Sequence, residues 1–501
     1  MKTKAIFLAT AAALSVASCT TMGNTAGGDV AAGQSAPISS QERAEGAKNH
    51  PQLLQEFGGT YTGPQAAYVT RVGQNIAVQS GLSNSASSFT VSLLNSPVNN
   101  AFAIPGGYVY VTRQLMALMN NEAELAGVLG HEIGHVAARH SQKRQSKAQT
   151  NTILGVLGTV VGGLLGNAGG IASTVGGLLQ NNALQVAQLA TLGYSRSQEL
   201  EADRLGIQYL ARAGYDPRAL STMLASLAAQ DNLEARVSGR DARSIPEWAS
   251  THPDPAGRVS TAQQVAASTG ANGGRLGEAE FKAAVDGMLY GDDPKQGIVE
   301  GQTFQHPDLR FAFSVPQGYG MQNGTQAVSI SGPNGQAMFT TAGSYNGNMS
   351  DYLTRALKGI AGDTQLQVGQ VNRTTVNGLP ASYVTARANT QSGAVDVTIF
   401  AYEFSNNSAF HFATLTKAGG AGVFNSMFQS VRRLSASEVA AIKPRFIDVV
   451  TVRSGDTVAS LANRMAYDNF RTERFLVLNR LASNARLKAG DKVKIVVKGN
   501  R

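Results

Sequence analysis

Cysteine is almost absent from this sequence, since Cys19 is the single one among 501 residues. One cysteine excludes internal disulfides and thiolate zinc sites, which need several. Long apolar runs are scarce too: the longest clean one, Ile153 to Leu165, has 13 residues, whereas a helix needs about 20 to span a bilayer. Runs of five or six basic residues are lacking. The net charge of +9 is therefore predicted to be diffuse, which indicates mild attraction to anionic surfaces and no nucleic acid partner.

The N-terminus accounts for the single cysteine. A short basic segment precedes an apolar stretch from Ala5 to Val16, and small residues lead up to Cys19. The pattern resembles a bacterial lipoprotein signal at 1–18, which implies cleavage before Cys19 and lipidation of that residue. An ordinary secretory signal is the alternative. In such lipoproteins Asp after the cysteine commonly signals inner-membrane retention, so Thr20 favours the outer membrane, facing the periplasm. Residues 19–45 are predicted to be a flexible tether.

Residues 131–135 read HEIGH, a motif typical of zinc hydrolases. On a helix, His131 and His135 project from one face, one turn apart, and can bind the same metal ion. Glu132 then lies beside the remaining coordination position, where a general base is needed.

The motif helix is predicted over about residues 122–142. Asn121 can cap it, acidic residues occupy its first turn and basic residues its last. We expect one apolar face to be buried, formed by Leu125, Val128, Leu129, Ile133 and Val136. His140 lies outside the motif spacing and is predicted to be an ordinary core or surface histidine.

A catalytic zinc site needs a third protein ligand and an open position for water. The sequence SRSQELEAD at 195–203 offers that ligand on a second helix, which starts with a capping box. Glu199 and Asp203 share one helical face, whereas Glu201 points about 200° away. We predict Glu199 as the third ligand and Asp203 as the hydrogen-bond partner that fixes the tautomer of His131. A solvated acidic helix is the alternative.

Four segments together resemble the M48 family of zinc metallopeptidases: HEIGH, SRSQELEAD, NAFAIPGGYVYV at 100–111 and THPDPAGR at 251–258. The resemblance implies a mainly α-helical zincin-type domain with a small edge β-sheet, which we place at 46–265. It also implies one Zn²⁺ per chain, bound by His131, His135 and Glu199, with Glu132 as the general base.

The same resemblance places His252 at the site, where two roles are open. The side chain could stabilise the transition state by a hydrogen bond, or it could occupy the open position as a fourth ligand and keep the enzyme latent. A turn histidine packed near Trp248 and Pro253 is a third alternative. Arg258 either pairs with an acid near the site or is exposed.

Two further segments of the first domain carry predictions. The strand formed by Asn100, Ala101, Phe102 and Ala103 offers an edge to which a substrate peptide could add by backbone hydrogen bonds, a mode that suits unfolded proteins. The Gly-rich, apolar residues 153–179 are predicted to form a packed helical hairpin beside the site, with a membrane-surface contact or a lid as the alternative.

The C-terminal half changes pattern. Alternating strands and one helix near 349–360 predict an α+β domain at 300–440 without a catalytic constellation. Residues 446–499 resemble a LysM module of βααβ order, which in general binds N-acetylglucosamine polymers such as peptidoglycan. The module is expected to lack an aromatic residue in its opening strand and a proline at its closing one. Peptidoglycan binding and a structural or docking role therefore both stay open.

The chain is thus predicted to be an α+β multidomain protein. Its predicted function is that of a lipid-anchored periplasmic zinc metalloendopeptidase that degrades unfolded or misassembled envelope proteins. The alternative is a non-catalytic scaffold or chaperone that links the outer membrane to peptidoglycan. Glu132 argues against this alternative, because a structural zinc site has no use for a general base.

Overall fold

The computed structural model describes residues 33–143, 194–238, 252–361, 365–390 and 393–499. Cys19, the first part of the predicted tether and the Gly-rich segment lie outside these residues. Within the described ranges, no helix is both long and apolar enough to cross a membrane.

The first unit is mainly helical around one small sheet. Its elements are α1 Ser40–Glu56, α2 Pro64–Ala77, β1 Thr90–Leu94, β2 Ala101–Ile104, β3 Tyr108–Thr112, α3 Arg113–Leu118, α4 Glu122–Ala137, α5 Arg196–Arg212, α6 Ala219–Ser238, α7 Pro255–Ser268 and α8 Glu278–Val285. The strand order is β1-β3-β2, with β1 parallel and β2 antiparallel to β3. The β2–β3 hairpin turns at Gly106 and Gly107, whose φ angles of +94° and +87° favour glycine.

The folded part begins earlier than predicted. Helix α1 starts at Ser40 and carries a capping box between Ser39 and Glu42. Its Leu53 is buried in a cluster with Phe102 of β2. The prediction of a flexible tether up to residue 45 is therefore wrong for residues 40–45, because the polar sequence of this helix does not reveal the contacts that hold it, among them those of Leu53 and Leu54.

The motif helix α4 ends five residues before its predicted limit. Arg139 adopts a left-handed φ of +52°, which breaks the helical hydrogen-bond ladder after Ala138. Residues 140–143 then form a separate helical turn. The predicted one-sided burial is also too narrow, since every residue of α4 except Val136 is buried.

The middle unit is built from two antiparallel sheets. Its elements are β5 Ile298–Glu300, β6 Thr303–His306, β7 Phe311–Ser314, β8 Gly320–Asn323, β9 Val328–Gly332, β10 Gly335–Thr340, α9 Met349–Ala361, β11 Gln367–Val368, β12 Asn372–Val376, β13 Leu379–Thr390, β14 Gly393–Ser405, β15 Ser408–Lys417, α10 Asn425–Ser430, β16 Arg432–Arg433 and α11 Ala436–Ala441. The larger sheet runs β11-β13-β14-β15-β10-β9-β8, with β12 also paired to β13, and the smaller runs β16-β7-β6-β5. Helix α9 packs on β13 and β14, and its apolar residues share a core with them.

The C-terminal unit has the predicted βααβ order: β17 Arg445–Thr451, α12 Val458–Ala462, α13 Arg471–Leu478 and β18 Lys492–Lys498. Its opening strand contains Phe446, so the expectation of a strand without an aromatic residue is wrong. Strand β17 also pairs with β4, Leu289–Tyr290, which follows the first unit in the chain.

One hydrophobic core joins the first and last units. The shared core includes Leu115 and Phe281 of the first unit together with Ile447, Phe475 and Ile495 of the last. The βααβ unit is therefore packed onto the helical unit and does not form an independent domain with a core of its own.

Candidate active site

The N-terminal end of α4 is held by a buried carboxylate. Glu122 accepts hydrogen bonds from Tyr68 and Tyr215 at 2.7 Å, Arg71 at 2.8 Å and Arg275 at 2.7 Å. Burial opposes its ionisation, but these bonds together hold the pKa of Glu122 below its usual range. The helix that carries the HEIGH motif is thus fixed at its first turn.

The closest approach of α4 and α5 depends on small residues. A Cβ atom added to Gly206 of α5 would meet the backbone nitrogen of His131 at 2.8 Å, and one added to Gly134 would meet the backbone of Ala202 at 3.1 Å. Because neither glycine carries a side chain, the helices approach closely enough for the acids of α5 to reach the histidines of α4.

Three predicted ligands meet in the space between these helices. Nε2 of His131 lies 3.0 Å from Nε2 of His135, and 3.6 Å from Oε2 of Glu199. Nε2 of His135 lies 3.4 Å from Oε1 of Glu199. Together with His252 they form a buried group whose donor atoms all lie within 4.8 Å of one another.

The donor set fits a zinc ion. Nδ1 of His131 lies 2.9 Å from a carboxylate oxygen of Asp203, and this contact favours the tautomer with its proton on Nδ1 and its lone pair on Nε2. Oε1 of Glu199 is buried and accepts no hydrogen bond from the described residues. The nitrogen and oxygen lone pairs converge here with no hydrogen-bond donor between them, an arrangement that a cation would stabilise. Two imidazoles with a carboxylate are a ligand set typical of catalytic zinc.

Arg258 completes the acidic side of the site, so the alternative of an exposed arginine is wrong. The guanidinium is buried; it binds both oxygens of Asp203, at 2.8 and 2.6 Å, and also contacts Glu199. Although burial opposes ionisation, Arg258 and His131 hold the pKa of Asp203 well below its usual range. The positive charge of Arg258 thus faces two neighbouring buried carboxyl groups.

Glu132 and His252 face each other across the open side. Oε1 of Glu132 lies 3.2 Å from Nε2 of His252, and both side chains are 1% exposed. Burial raises the pKa of Glu132 to about 8 and lowers that of His252 to about 3. His252 is therefore a member of the site and not a turn residue remote from it.

His140 also belongs to the site, contrary to the sequence prediction. Its ring is fully buried, with Nδ1 2.8 Å from Nδ1 of His135 and Nε2 3.1 Å from a carboxylate oxygen of Glu201. The ring of Tyr194 stacks on His135 with centroids 3.7 Å apart. A spacing rule could not find His140, since the left-handed turn at Arg139 brings it back to the site.

The predicted substrate strand is at the edge of its sheet, but it is covered. Asn100, Ala101, Phe102 and Ala103 are at most 6% exposed, and Ala101–Ala103 belong to β2. A peptide that pairs with β2 must first displace what lies over it.

The chain matches known families in two places. Residues 64–266 match peptidase family M48, and residues 450–496 match the LysM domain. The chain carries a peptidase family M48 domain. The resemblances to the M48 family and to the LysM module are thereby confirmed, as is the α+β multidomain fold class.

Curated relatives match through the M48 domain. A beta-barrel assembly-enhancing protease of Yersinia pestis is 36% identical over 174 residues, which are 34% of this chain and 33% of that protein. Mitochondrial metalloendopeptidase OMA1 of Schizosaccharomyces pombe is 28% identical over 196 residues, 39% of this chain and 51% of that protein. The match to the first relatives therefore spans about a third of their length.

Among solved structures, LpqN, which is involved in cell envelope biogenesis of Mycobacterium tuberculosis, shares 10% identity with this chain at a TM-score of 0.19. The likeness covers 25% of this chain and 83% of that one, and at this TM-score it supports no inference.

Proposed function

We propose that the M48 domain is a zinc metalloendopeptidase. The observation that carries the proposal is the buried group of His131, His135 and Glu199 beside Glu132, a ligand set with a base next to its open side. Metallopeptidase relatives of the same domain support it. A scaffold that used zinc only for folding would leave the buried Glu132 without a purpose.

The residues divide the chemistry between them. His131, His135 and Glu199 hold the metal, which when bound acts as a Lewis acid and lowers the pKa of water toward 7. The pKa of Glu132 would fall from its raised value beside a bound cation, which favours the carboxylate, and Glu132 can then accept a proton from the attacking water and return it to the leaving amine. Asp203 orients His131 through Nδ1, and Arg258 balances the charge of Asp203 and Glu199. The dry surroundings strengthen each of these interactions.

We further infer that the protein works in the cell envelope on unfolded or misassembled proteins. The lipoprotein-like residues 1–19 support an outer membrane anchor that faces the periplasm. A relative is named as an enhancer of β-barrel assembly, which fits clients that expose unpaired strands. Strand β2 is at the edge of its sheet and could pair with extended backbone once the covering segment is displaced.

The LysM domain is proposed to contact peptidoglycan and, through the shared core, to support the M48 domain. Its packing on the helical unit favours the supporting role. The two roles are compatible, because the loops after β17 and before β18 place Val452 and Leu487 at the core but leave Arg453 and Lys488 exposed.

The decisive test is Glu132→Gln, which keeps the shape of the side chain but removes its basicity. We expect an unchanged fold and zinc content, and casein cleavage lowered by about 10²- to 10⁴-fold. Glu438→Gln, an exposed acid outside the site, is the matched control and should cleave like wild type. Both variants are also made with His252→Ala, so that latency cannot hide activity. Equal cleavage by the Glu132→Gln pair, or no cleavage by any form, contradicts the proposal.

A further inference from the structure

Behind His135 lie two polar residues, His140 and Glu201, that the proposed mechanism does not use. His140 Nδ1 contacts His135 Nδ1 at 2.8 Å, and His140 Nε2 contacts Oε2 of Glu201 at 3.1 Å. The His140 side chain is 0% exposed and that of Glu201 is 14% exposed, so water competes little for these contacts.

When both imidazole rings are neutral, the contacts between His135, His140 and Glu201 permit one arrangement of their protons. An ionised carboxylate only accepts, so the single ring proton of His140 sits on Nε2 and points to Glu201. Nδ1 of His140 is then an acceptor, and the proton of the short contact must belong to Nδ1 of His135. The Nε2 atom of His135 is thereby left with a lone pair directed at Glu199 and His131.

We propose that His140 and Glu201 are positioning residues that fix the metal-binding tautomer and orientation of His135. His140 and Glu201 together orient the ring of His135, in the way that Asp203 orients the ring of His131 by direct contact. Helix α5 supplies both acids, two residues apart, on different faces. Glu201 does point away from Glu199, as the sequence predicts, but it reaches the site through His140. This inference rests on the proposed zinc site.

The shape of the chain near Arg139 supports this assignment. A regular helix would carry residue 140 past the face of His135, whereas the left-handed φ of +52° at Arg139 turns the chain and places the His140 ring against it. A non-glycine residue in this conformation is strained, and such strain persists where the surrounding structure requires it.

The test measures zinc affinity by competition with a chromogenic chelator on the full mature chain. We expect His140→Ala and Glu201→Ala to bind zinc about 10- to 100-fold more weakly than wild type. His140→Asn should stay within a few-fold, since its amide oxygen can still accept from Nδ1 of His135. The absorption bands of the cobalt-substituted protein should shift in the two alanine variants and return toward wild type in His140→Asn.

His411→Ala is the matched control for the loss of a buried histidine. His411 is 2% exposed and hydrogen-bonded to Tyr352 in the middle unit, so its removal should lower the melting temperature but leave zinc affinity and the cobalt spectrum unchanged.

The outcomes separate this inference from the proposed function. If wild type itself binds no zinc, the proposed function fails. If wild type binds zinc and both alanine variants bind it equally well with unaltered spectra, the positioning role is wrong while the zinc site stands. Glu201→Ala leaves the packing of His140 in place, so the test holds even if His140→Ala does not fold.

Discussion

His252 lies where it could control the access of water to the site. His252 belongs to the same buried group of possible ligands as His131, His135 and Glu199. Its Nε2 lies 3.2 Å from Oε1 of Glu132, the proposed base. A neutral imidazole there offers a lone pair to the position that water needs for the reaction. We therefore propose latency, with His252 as a displaceable fourth ligand, and keep transition-state stabilisation as the alternative that the next experiment tests.

Replacing His252 by alanine should release that latency. We expect basal casein cleavage to rise by about tenfold, the equivalent of about 1.4 kcal/mol for displacing the ring, and zinc affinity to fall because one donor is lost. His306→Ala, in β6 of the middle unit, serves as the control and should change neither quantity. A fall in kcat with unaltered zinc affinity would instead assign His252 to stabilisation of the transition state.

Sequence reasoning found the residues that local rules can find. Helical spacing alone brings His131, Glu132 and His135 together, and one face of a second helix selects Glu199 over Glu201. The sequence does not decide whether Arg258 is paired or exposed, and it does not predict that His140 belongs to the site. Both positions depend on the path of the chain beyond the motif helices. Arg258 is buried between two acids, and the left-handed Arg139 turns the ring of His140 back to the site. Both are tertiary contacts, which leave no periodic pattern in the sequence.

At the level of elements, the site depends on how closely α4 and α5 cross. Gly206 lies against the backbone of Gly130 and His131, so an added methyl group would meet main-chain atoms that cannot rotate away. Gly206→Ala should push α5 outward, moving Glu199 and Asp203 from the histidines. We expect about 1–3 kcal/mol of lost stability and weaker zinc binding, measured by chemical unfolding and chelator competition.

The control for that variant is Gly359→Ala in α9. Gly359 is also helical, but nothing lies within 4 Å of the position of its added Cβ. This change should leave zinc binding unaltered and raise stability by up to about 1 kcal/mol, since alanine favours the helix. If both variants behave alike, the close crossing does not control the site.

Predicted and observed elements agree best where capping chemistry marks an end. Asn121 caps α4, and Ser195 with Gln198 forms the capping box of α5, both as read from the sequence. Agreement is poorer where tertiary contacts set the limit. The end of α4 is fixed by Arg139, and α1 is held by Leu53 in a core that no local pattern in its polar sequence reveals.

On the scale of the whole molecule, the LysM domain is anchored beside the first turn of α4. The buried amine of Lys494 donates to the carbonyls of Ala117 and Met119, just before the cap of α4, and Arg480 pairs with Glu124. Burial lowers the pKa of Lys494 to about 7. An unfolded lysine has a pKa near 10.4, so between about pH 7 and pH 10 the unfolded chain binds more protons than the folded one.

Stability should therefore rise with pH across that window. The slope is at most about 1.4 kcal/mol per pH unit, and Lys494→Met should remove it. We would measure the difference in unfolding free energy between wild type and variant from pH 7 to pH 10. Lys498→Met, which loses a partly exposed amine paired with Glu300, is the control and should keep the slope. A wild-type slope that survives in Lys494→Met rules out this anchor as its source.

The sequence analysis predicts a diffuse net charge, but the charge is concentrated in the LysM region. Residues 443–501 contain 13 Lys or Arg and five Asp or Glu, a net charge of +8 against +9 for the whole chain. The two loops that meet at the ends of β17 and β18 expose Arg453, Arg486, Lys488 and Lys492. The same loops carry two acids, Asp456 and Asp491, which accept hydrogen bonds from the backbone N–H groups of Arg453 and Lys488, so basic side chains outnumber acidic ones there.

These basic loops fit a partner that carries negative charge, and peptidoglycan has free carboxylates as well as neutral sugars. Replacing Arg453, Arg486, Lys488 and Lys492 with glutamine should lower retention of the full chain on isolated sacculi and reduce the sensitivity of that retention to salt, because screening weakens exposed charges. The matched control replaces four exposed basic residues outside the LysM domain, Lys295, Lys358, Arg373 and Lys417, and removes the same net charge. If both quadruple variants lose retention equally, total charge and not this surface binds the sacculus; if neither does, the LysM domain serves the M48 domain through its packing alone.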